Sequence, residues 1–419
     1  MKISEIYQYY KETYQVTTDT RTIQSGVMFF ALKGNNFDAN TFADEALTKG
    51  ASYVVIDNKD YYKDDGRHIL VTNTLKTLQA LAKHHREQLG IPIIALTGSN
   101  GKTTTKELLN IVLSQKFRVL ATKGNLNNHI GVPLTLLAMN PDTELGIVEM
   151  GANHFDEIAF LSEMTKPNYG YITNFGKAHL EGFGSIAGVI KAKSELYNYL
   201  AKNDGLAFVN QFDPIQVQQA KLQKTHVISN NTKLINYKEF VALEYNNKLI
   251  NSNLIGDYNF RNIIAAIGIG AYFDVSDKQI KSAIESYIPK NKRSQLIQKG
   301  NTKIILDAYN ANPTSMQAAL EAFDRNSDTS KIVILGDMFE LGTSAKKEHQ
   351  YIASLASTKF DSVFLLGENF YKTKAKNTIK HKNFEAFQNE FNKDFFKNAT
   401  VLIKGSRGME LERIVDLLT

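Results

Sequence analysis

The sequence predicts an α/β protein of three domains, and three observations support that reading. Short apolar runs end again and again in Gly, Asp, Asn or Lys; helix-length segments separate many of them; and a glycine-rich turn ending in Gly-Lys-Thr joins one such run to a helical stretch. Runs that are apolar throughout suit strands buried on both faces of a parallel sheet, whose crossover connections are helices. With 419 residues and 43% apolar composition, the chain can bury more than one core.

Residues 1–90 carry the apolar runs 27–32, 53–56 and 69–71, separated by turns and helical stretches, which reads as a small α/β domain. A helix is expected over 74–89, where Leu75, Leu78, Leu81 and Ala82 recur at helical spacing before Gly90 and Pro92. His84 and His85 on this helix are expected to be solvated.

Residues 91–290 supply runs 93–96, 146–148, 169–172 and 206–209, the pattern of a doubly wound sheet. Residues 291–419 repeat the pattern in runs 303–306, 332–335, 362–366 and 401–403, with helices expected over 315–323 and 409–418, giving a Rossmann-like third domain. In such sheets ligands bind beyond the carboxyl ends of the strands, so the polar residues that follow each run are the ones to inspect.

Composition narrows the function classes. The chain has no cysteine, which excludes disulfides, thiolate metal sites and cysteine nucleophiles and fits a reducing compartment. The start, Met1-Lys2-Ile3-Ser4-Glu5-Ile6-Tyr7, lacks a signal-like apolar core, and no stretch stays apolar for the roughly 18 residues of a membrane span. A cytoplasmic protein is expected. The net charge of +6 is dispersed along the chain, which suits small anionic substrates better than nucleic acid.

The strongest local signal is Gly98-Ser99-Asn100-Gly101-Lys102-Thr103-Thr104, after the run 93–96 and before a helix expected to begin near Lys106. Glycines let backbone amides converge on phosphate oxygens, the helix start adds partial positive charge, Lys102 can reach the outer phosphates, and a threonine hydroxyl can ligate magnesium. Leu96 stands where the usual Walker A pattern has its first glycine. A strand-to-helix turn that binds nothing is the bland alternative; the strand before it, the lysine in it and the helix after it favour a site for ATP.

The form Thr97 to Glu107 resembles the loop of the Mur ligases, which join amino acids to UDP-N-acetylmuramic acid and count the folylpolyglutamate synthetases as relatives. Further blocks agree in order: Lys123-Gly124-Asn125-Leu126-Asn127-Asn128 and Ile130-Gly131-Val132-Pro133; Glu149-Met150-Gly151; Thr173-Asn174; and Ala178-His179-Leu180-Glu181-Gly182-Phe183. The resemblance implies ATP and magnesium, two ions being expected, with Thr103, Glu149, His179 and Lys193 as ligands. Lys193 matches a lysine that related ligases carry as a carbamate, and Lys191 is the competing position. A desolvated, uncharged lysine can react with carbon dioxide and become an anionic oxygen ligand. Without the resemblance, Glu149 and His179 read as ordinary strand-end polar groups and Lys193 as a surface lysine. Asn259 and Asn262, in Gly256-Asp257-Tyr258-Asn259-Phe260-Arg261-Asn262, are similar to the family's adenine-binding asparagines.

In the last third, Asp307-Ala308-Tyr309-Asn310-Ala311-Asn312-Pro313, residues 336–342 and Lys404-Gly405-Ser406-Arg407-Gly408-Met409 look like the family member that adds D-alanyl-D-alanine to UDP-N-acetylmuramoyl-tripeptide in peptidoglycan precursor synthesis. The Asp-Asn-Pro-Arg element typical of the third-residue ligase is absent. By that likeness Arg293 and Asp307 contact the nucleotide, while Asn310, Asn312, Ser406 and Arg407 face the dipeptide. A guanidinium suits a carboxylate, although Arg407 could equally be a surface arginine. Thr20, Arg21 and Lys33 resemble the UDP-binding region, and Asn127, Asn128 and Asn174 are assigned to the substrate. Asn40 stands where the family commonly has histidine, and His129 where it has glutamate. The implied enzyme is a monomer working through an acyl phosphate. Its rivals are a Mur-type ligase with another acceptor, the third-residue or folylpolyglutamate type, and a nucleotide-gated switch.

Overall fold

The computed structural model describes residues 1–418 apart from 222, 223, 327 and 329. A four-stranded parallel sheet comes first, in the order Val16–Thr17, Met28–Phe30, Tyr53–Ile56, His68–Leu70. Helix Thr74–Leu89 follows, opened by the Asn73 side chain, which accepts from the Lys76 amide, and stopped by Gly90 at φ +63°. Helix Ile3–Thr13 packs against it.

His85 is fully buried, contrary to the expectation that it is solvated. It extends the apolar face of Leu78, Leu81 and Ala82 by a further turn, and its ring satisfies itself on Tyr7 Oη at 3.1 Å, Tyr10 Oη at 3.2 Å and the Met139 carbonyl at 2.8 Å. His84 alone stays partly exposed.

The second sheet is six-stranded and parallel, in the order Lys224–Val227, Leu206–Val209, Tyr169–Ile172, Ile93–Thr97, Leu145–Glu149, Val119–Ala121. Its central strands are buried on both faces: Ile94, Leu96 and Ile147 pack toward helices Lys102–Leu113 and Tyr258–Tyr272, while Ile93, Ala95 and Val148 face the other side. Each such aliphatic side chain contributes about 1.5–3 kcal/mol by leaving water. A small antiparallel sheet, Thr232–Asn236, Ala242–Tyr245 and Lys248–Asn251, follows the last of these strands.

The third sheet runs Gln295–Lys299, Thr302–Asp307, Thr400–Lys404, Lys331–Gly336, Ser362–Leu366, Thr378–His381, parallel except for its first edge strand. Helix Pro313–Arg325 extends beyond the expected 315–323, because Asn312 caps it and Pro313 suits its first turn. The helix expected over 409–418 is broken. Glu410 is left-handed at φ +48°, so the segment becomes the short turns Arg407–Met409 and Leu411–Arg413 and a helix only over Ile414–Leu417. Leu411 is buried in the space beside Gly336 and Gly405. Among the described residues, no helix is long and apolar enough to cross a membrane.

Candidate active site

The carboxyl ends of the second and third sheets face one cavity of about 920 Å³. Residues 99–104 of the phosphate loop line it, while the expected Gly98 does not. The helix begins at Lys102 rather than near Lys106, because Gly101 at φ +79° turns the chain directly into the first helical residue. Gly98, at φ +139°, has no room for a side chain: a Cβ there would lie 2.0 Å from Thr173 Oγ1. At Gly101 a Cβ would meet Asn262 Oδ1 at 2.5 Å. Both glycines are thus required by close approach as well as by backbone angle.

The loop is braced from outside. Asn174 accepts from the Asn100 amide at 3.1 Å and donates to the Asn100 carbonyl at 2.8 Å. Asn312, from the third sheet, donates to Asn100 Oδ1 at 2.7 Å. Lys102 lies along the loop with Nζ donating to the Gly98 carbonyl at 2.7 Å, and burial holds its pKa below the usual lysine value.

Glu149 ends the strand Leu145–Glu149 and is 1% exposed. Its Oε1 accepts from Asn127 Nδ2 at 2.8 Å and Thr103 Oγ1 at 3.4 Å, whereas Oε2 is buried with no partner. A buried carboxylate oxygen beside a threonine hydroxyl and a phosphate loop fits a hard cation. His179, left-handed at φ +52°, opens the short helix Leu180–Phe183 and faces Glu340 of the third sheet, whose Oε2 is 2.5 Å from its Nδ1. That contact lowers the Glu340 pKa. Among the described residues no three His, Asp or Glu side chains gather into a cation site, so phosphate oxygens or a carbamate would have to complete one.

Lys193 is fully buried on helix Ile186–Lys202, not on the surface, and donates to the Ala152 carbonyl at 3.1 Å. Its pKa is pushed down to about 7 by burial, with the Lys102 charge lowering it further and Glu157 and Glu195 opposing. The lysine reaches the wall of the cavity through Ala152 without lining it.

Of the other residues expected in the site, Ser99, Asn100, Thr104, Asn127, Asn128, Asn174, Asn259, Asn262, Arg293, Asp307, Asn310 and Asn312 all line the cavity. Several already have work there. Asn128 caps the turn into helix Gly131–Leu137 through the amides of Ile130 and Gly131. Asn262 donates to Asn259 Oδ1 and receives the Thr105 hydroxyl. Ser406 and Arg407 lie outside the cavity lining: Ser406 Oγ accepts from the Phe339 amide at 2.9 Å, and Arg407 pairs with Glu412 at 3.0 Å. Thr20, Arg21 and Lys33 are elsewhere, in the first sheet's region, where Arg21 pairs with Asp19 and Lys33 with Asp57. Asn40 is buried there and bonds Asp38 and Asp57, so the amide organises the carboxylate that holds Lys33.

Lys404 was not singled out from the sequence. It ends the strand Thr400–Lys404, is almost fully buried, and donates to Asp307 Oδ2 at 2.6 Å at the cavity wall. The rule that strand ends carry function would have found it. Glu340 follows no strand directly and gave no such signal.

Comparison with known proteins accords with this geometry. Residues 12–86 match the Mur ligase family catalytic domain, 96–270 the Mur ligase middle domain and 292–407 the Mur ligase glutamate ligase domain. The chain is 34% identical to UDP-N-acetylmuramoyl-tripeptide--D-alanyl-D-alanine ligase of Bacillus subtilis (strain 168), covering 96% of this chain and 92% of that protein. It is similar in structure to MurF from Acinetobacter baumannii, with a TM-score of 0.83, 29% identity and coverage of 100% and 98% of the two chains. MurF ligase from Thermotoga maritima, solved in complex with ADP, gives a TM-score of 0.82 at 26% identity over 97% of each chain. With three family segments in order and relatives matched over nearly their whole length, this chain belongs to the Mur ligase family.

Proposed function

We propose that the chain is a cytoplasmic, monomeric ATP-dependent amide ligase that joins D-alanyl-D-alanine to UDP-N-acetylmuramoyl-tripeptide, releasing ADP and phosphate. The observation that carries this reading is the meeting, in one cavity, of the braced phosphate loop, the unpartnered Glu149 oxygen and the Asp307–Lys404 pair of another sheet. A site that only hydrolysed a nucleotide would need no second sheet with its own polar strand ends. The relatives' names supply the substrates. Residues 1–90 would hold the UDP-sugar through Thr20, Arg21 and Lys33, residues 91–290 the ATP, and residues 291–419 the dipeptide.

In the first step a tripeptide carboxylate oxygen attacks the γ-phosphorus in line, the bond to the ADP oxygen breaks, and an acyl phosphate forms. Lys102 and the loop amides offset the charge on the transferring oxygens. The dipeptide amine then attacks the acyl carbon, the bond to the phosphate oxygen breaks, and the amine's proton passes to the departing phosphate. Asn127 and Asn174 line the site, Asn310 and Asn312 would face the acceptor from the cavity wall, and Arg407 would reach it from outside the lining. Lys102 acts by placement and charge, so no nucleophilic side chain is required.

Magnesium fits the residues present: Thr103, Glu149 and His179 would hold it, with Lys193 as a carbamate, and it would neutralise phosphate charge. Neutral Lys193 is accessible near pH 7, the condition for reaction with carbon dioxide. Asn259, Asn262 and Arg293 would meet the nucleotide.

The test is mass spectrometry of the product formed from ATP, D-alanyl-D-alanine and UDP-N-acetylmuramoyl-tripeptide carrying either lysine or diaminopimelate. The expected product is the pentapeptide with stoichiometric ADP. Phosphate release that ignores the acceptor would overturn the ligase reading.

A further inference from the structure

The chain enters the third sheet through Lys292, Arg293 and Ser294, and the two residues flanking the arginine are left-handed, at φ +54° and +49°. Such angles persist in residues other than glycine only where neighbours hold them. Lys292 Nζ is held by Glu412 Oε1 at 2.7 Å, and the Ser294 amide by Asp307 Oδ1 at 3.2 Å. Arg293 itself lies with Cζ 3.8 Å from the centre of the Tyr309 ring, and its Nε is buried without a partner.

Tyr309 and Glu412 also touch Arg407, which lies just outside the cavity lining. Arg407 Cζ is 6.0 Å from the Tyr309 ring centre, and Arg407 Nη1 donates to the Glu412 oxygen that also holds Lys292. Tyr309 and Glu412 therefore each touch both the linker and Arg407. Two guanidinium groups share one aromatic ring, which attracts either cation by its face while the cations repel each other.

We infer that Tyr309 is a positioning residue that couples the acceptor side of the cavity to the nucleotide side by holding Arg293 and Arg407 on one ring. The inference rests on the ligase reading above, in which Arg293 meets ATP and Arg407 the dipeptide carboxylate. Glu412 is shared by Arg407 and Lys292 and offsets only one of their two charges; a carboxylate arriving at Arg407 offsets the other, weakens its repulsion of Arg293, and leaves the ring to Arg293 alone. Dipeptide thus tightens nucleotide binding, and nucleotide tightens dipeptide binding by the same factor.

The experiment is calorimetric binding of AMP-PNP, with UDP-N-acetylmuramoyl-tripeptide present, in the presence and absence of D-alanyl-D-alanine. In the unaltered protein the dipeptide is expected to lower the AMP-PNP Kd several-fold. Tyr309→Leu weakens AMP-PNP by roughly tenfold and removes the dipeptide effect, and Tyr309→Phe, which keeps the ring face, restores both. Should Tyr309→Leu fail to fold, Glu412→Gln is read instead; it is expected to leave the ring contact and reduce the dipeptide effect, because Arg407 and Lys292 lose their shared anchor. An unaltered protein without coupling, a Tyr309→Leu variant with full coupling, a Tyr309→Phe variant as impaired as the leucine one, or a Glu412→Gln variant with full coupling overturns the role. Absence of any dipeptide-dependent product in the mass spectrum sinks the ligase reading itself, whereas normal product with unchanged coupling in Tyr309→Leu removes only the assignment to Tyr309.

Discussion

Asn312 donates its side-chain amide to Asn100 Oδ1 at 2.7 Å, tying the start of a helix in the third sheet to the tip of the phosphate loop in the second. The same side chain accepts from the Ser315 amide as the helix cap. Asn312→Ala should therefore do two things at once. Loss of the cap costs about 1 kcal/mol, read as a lower denaturant midpoint. Loss of the brace should raise KM for ATP more than it lowers kcat, and Asn312→Ser, which can still cap, should recover the stability but not the KM.

Lys102→Ala should leave the far-UV circular dichroism and melting curve close to those of the unaltered protein, because among the described residues the Lys102 amine bonds the loop's own carbonyls at Gly98 and Ser99. ATP turnover in the presence of both other substrates should fall below detection. Normal turnover in this variant would contradict the assignment of the loop.

Lys193→Ala should lose activity and regain part of it with added short carboxylic acids, which supply the oxygens of a carbamate. The pH dependence of the unliganded protein gives a separate reading. The folded pKa near 7 lies below the ordinary lysine value of 10.5, so between those values the unfolded chain holds a proton that the folded one does not. Stability contributed at this position accordingly rises with pH across that window. Replacing the lysine with methionine should flatten the rise in a urea-denaturation series.

His85 should make the protein acid-sensitive. Burial lowers its pKa, so the folded state keeps the ring neutral while the unfolded state takes up a proton as pH falls through the ordinary histidine range. Stability should drop below about pH 6.5. His85→Gln, which can still bond the Tyr7 and Tyr10 hydroxyls, should show a shallower decline in the thermal midpoint.

The strands that the apolar runs located, such as Tyr169–Ile172, Leu206–Val209 and Ser362–Leu366, are buried on both faces, and continuous apolarity is how such strands appear in sequence. Lys224–Val227 and Thr232–Asn236 escaped because they are largely exposed or half-exposed and rich in polar residues. The phosphate loop was legible because its chemistry is local: glycine, lysine and threonine act within one turn. Glu149 and Asp307 could be found as strand ends. Arg293 was legible only through family likeness, and its contact with Tyr309 depends on two left-handed residues that no pattern announces. The burial of His85 was available in the helical spacing, since it follows Leu78 by seven residues.

The amide that Asn312 lends to Asn100 has a consequence for pieces of the molecule. A fragment ending before that asparagine would contain every residue of the phosphate loop and the strand beneath it, yet the tip would lack its distant support. Competence to grip a triphosphate is then a property of the assembled chain, and possession of the motif alone is not enough.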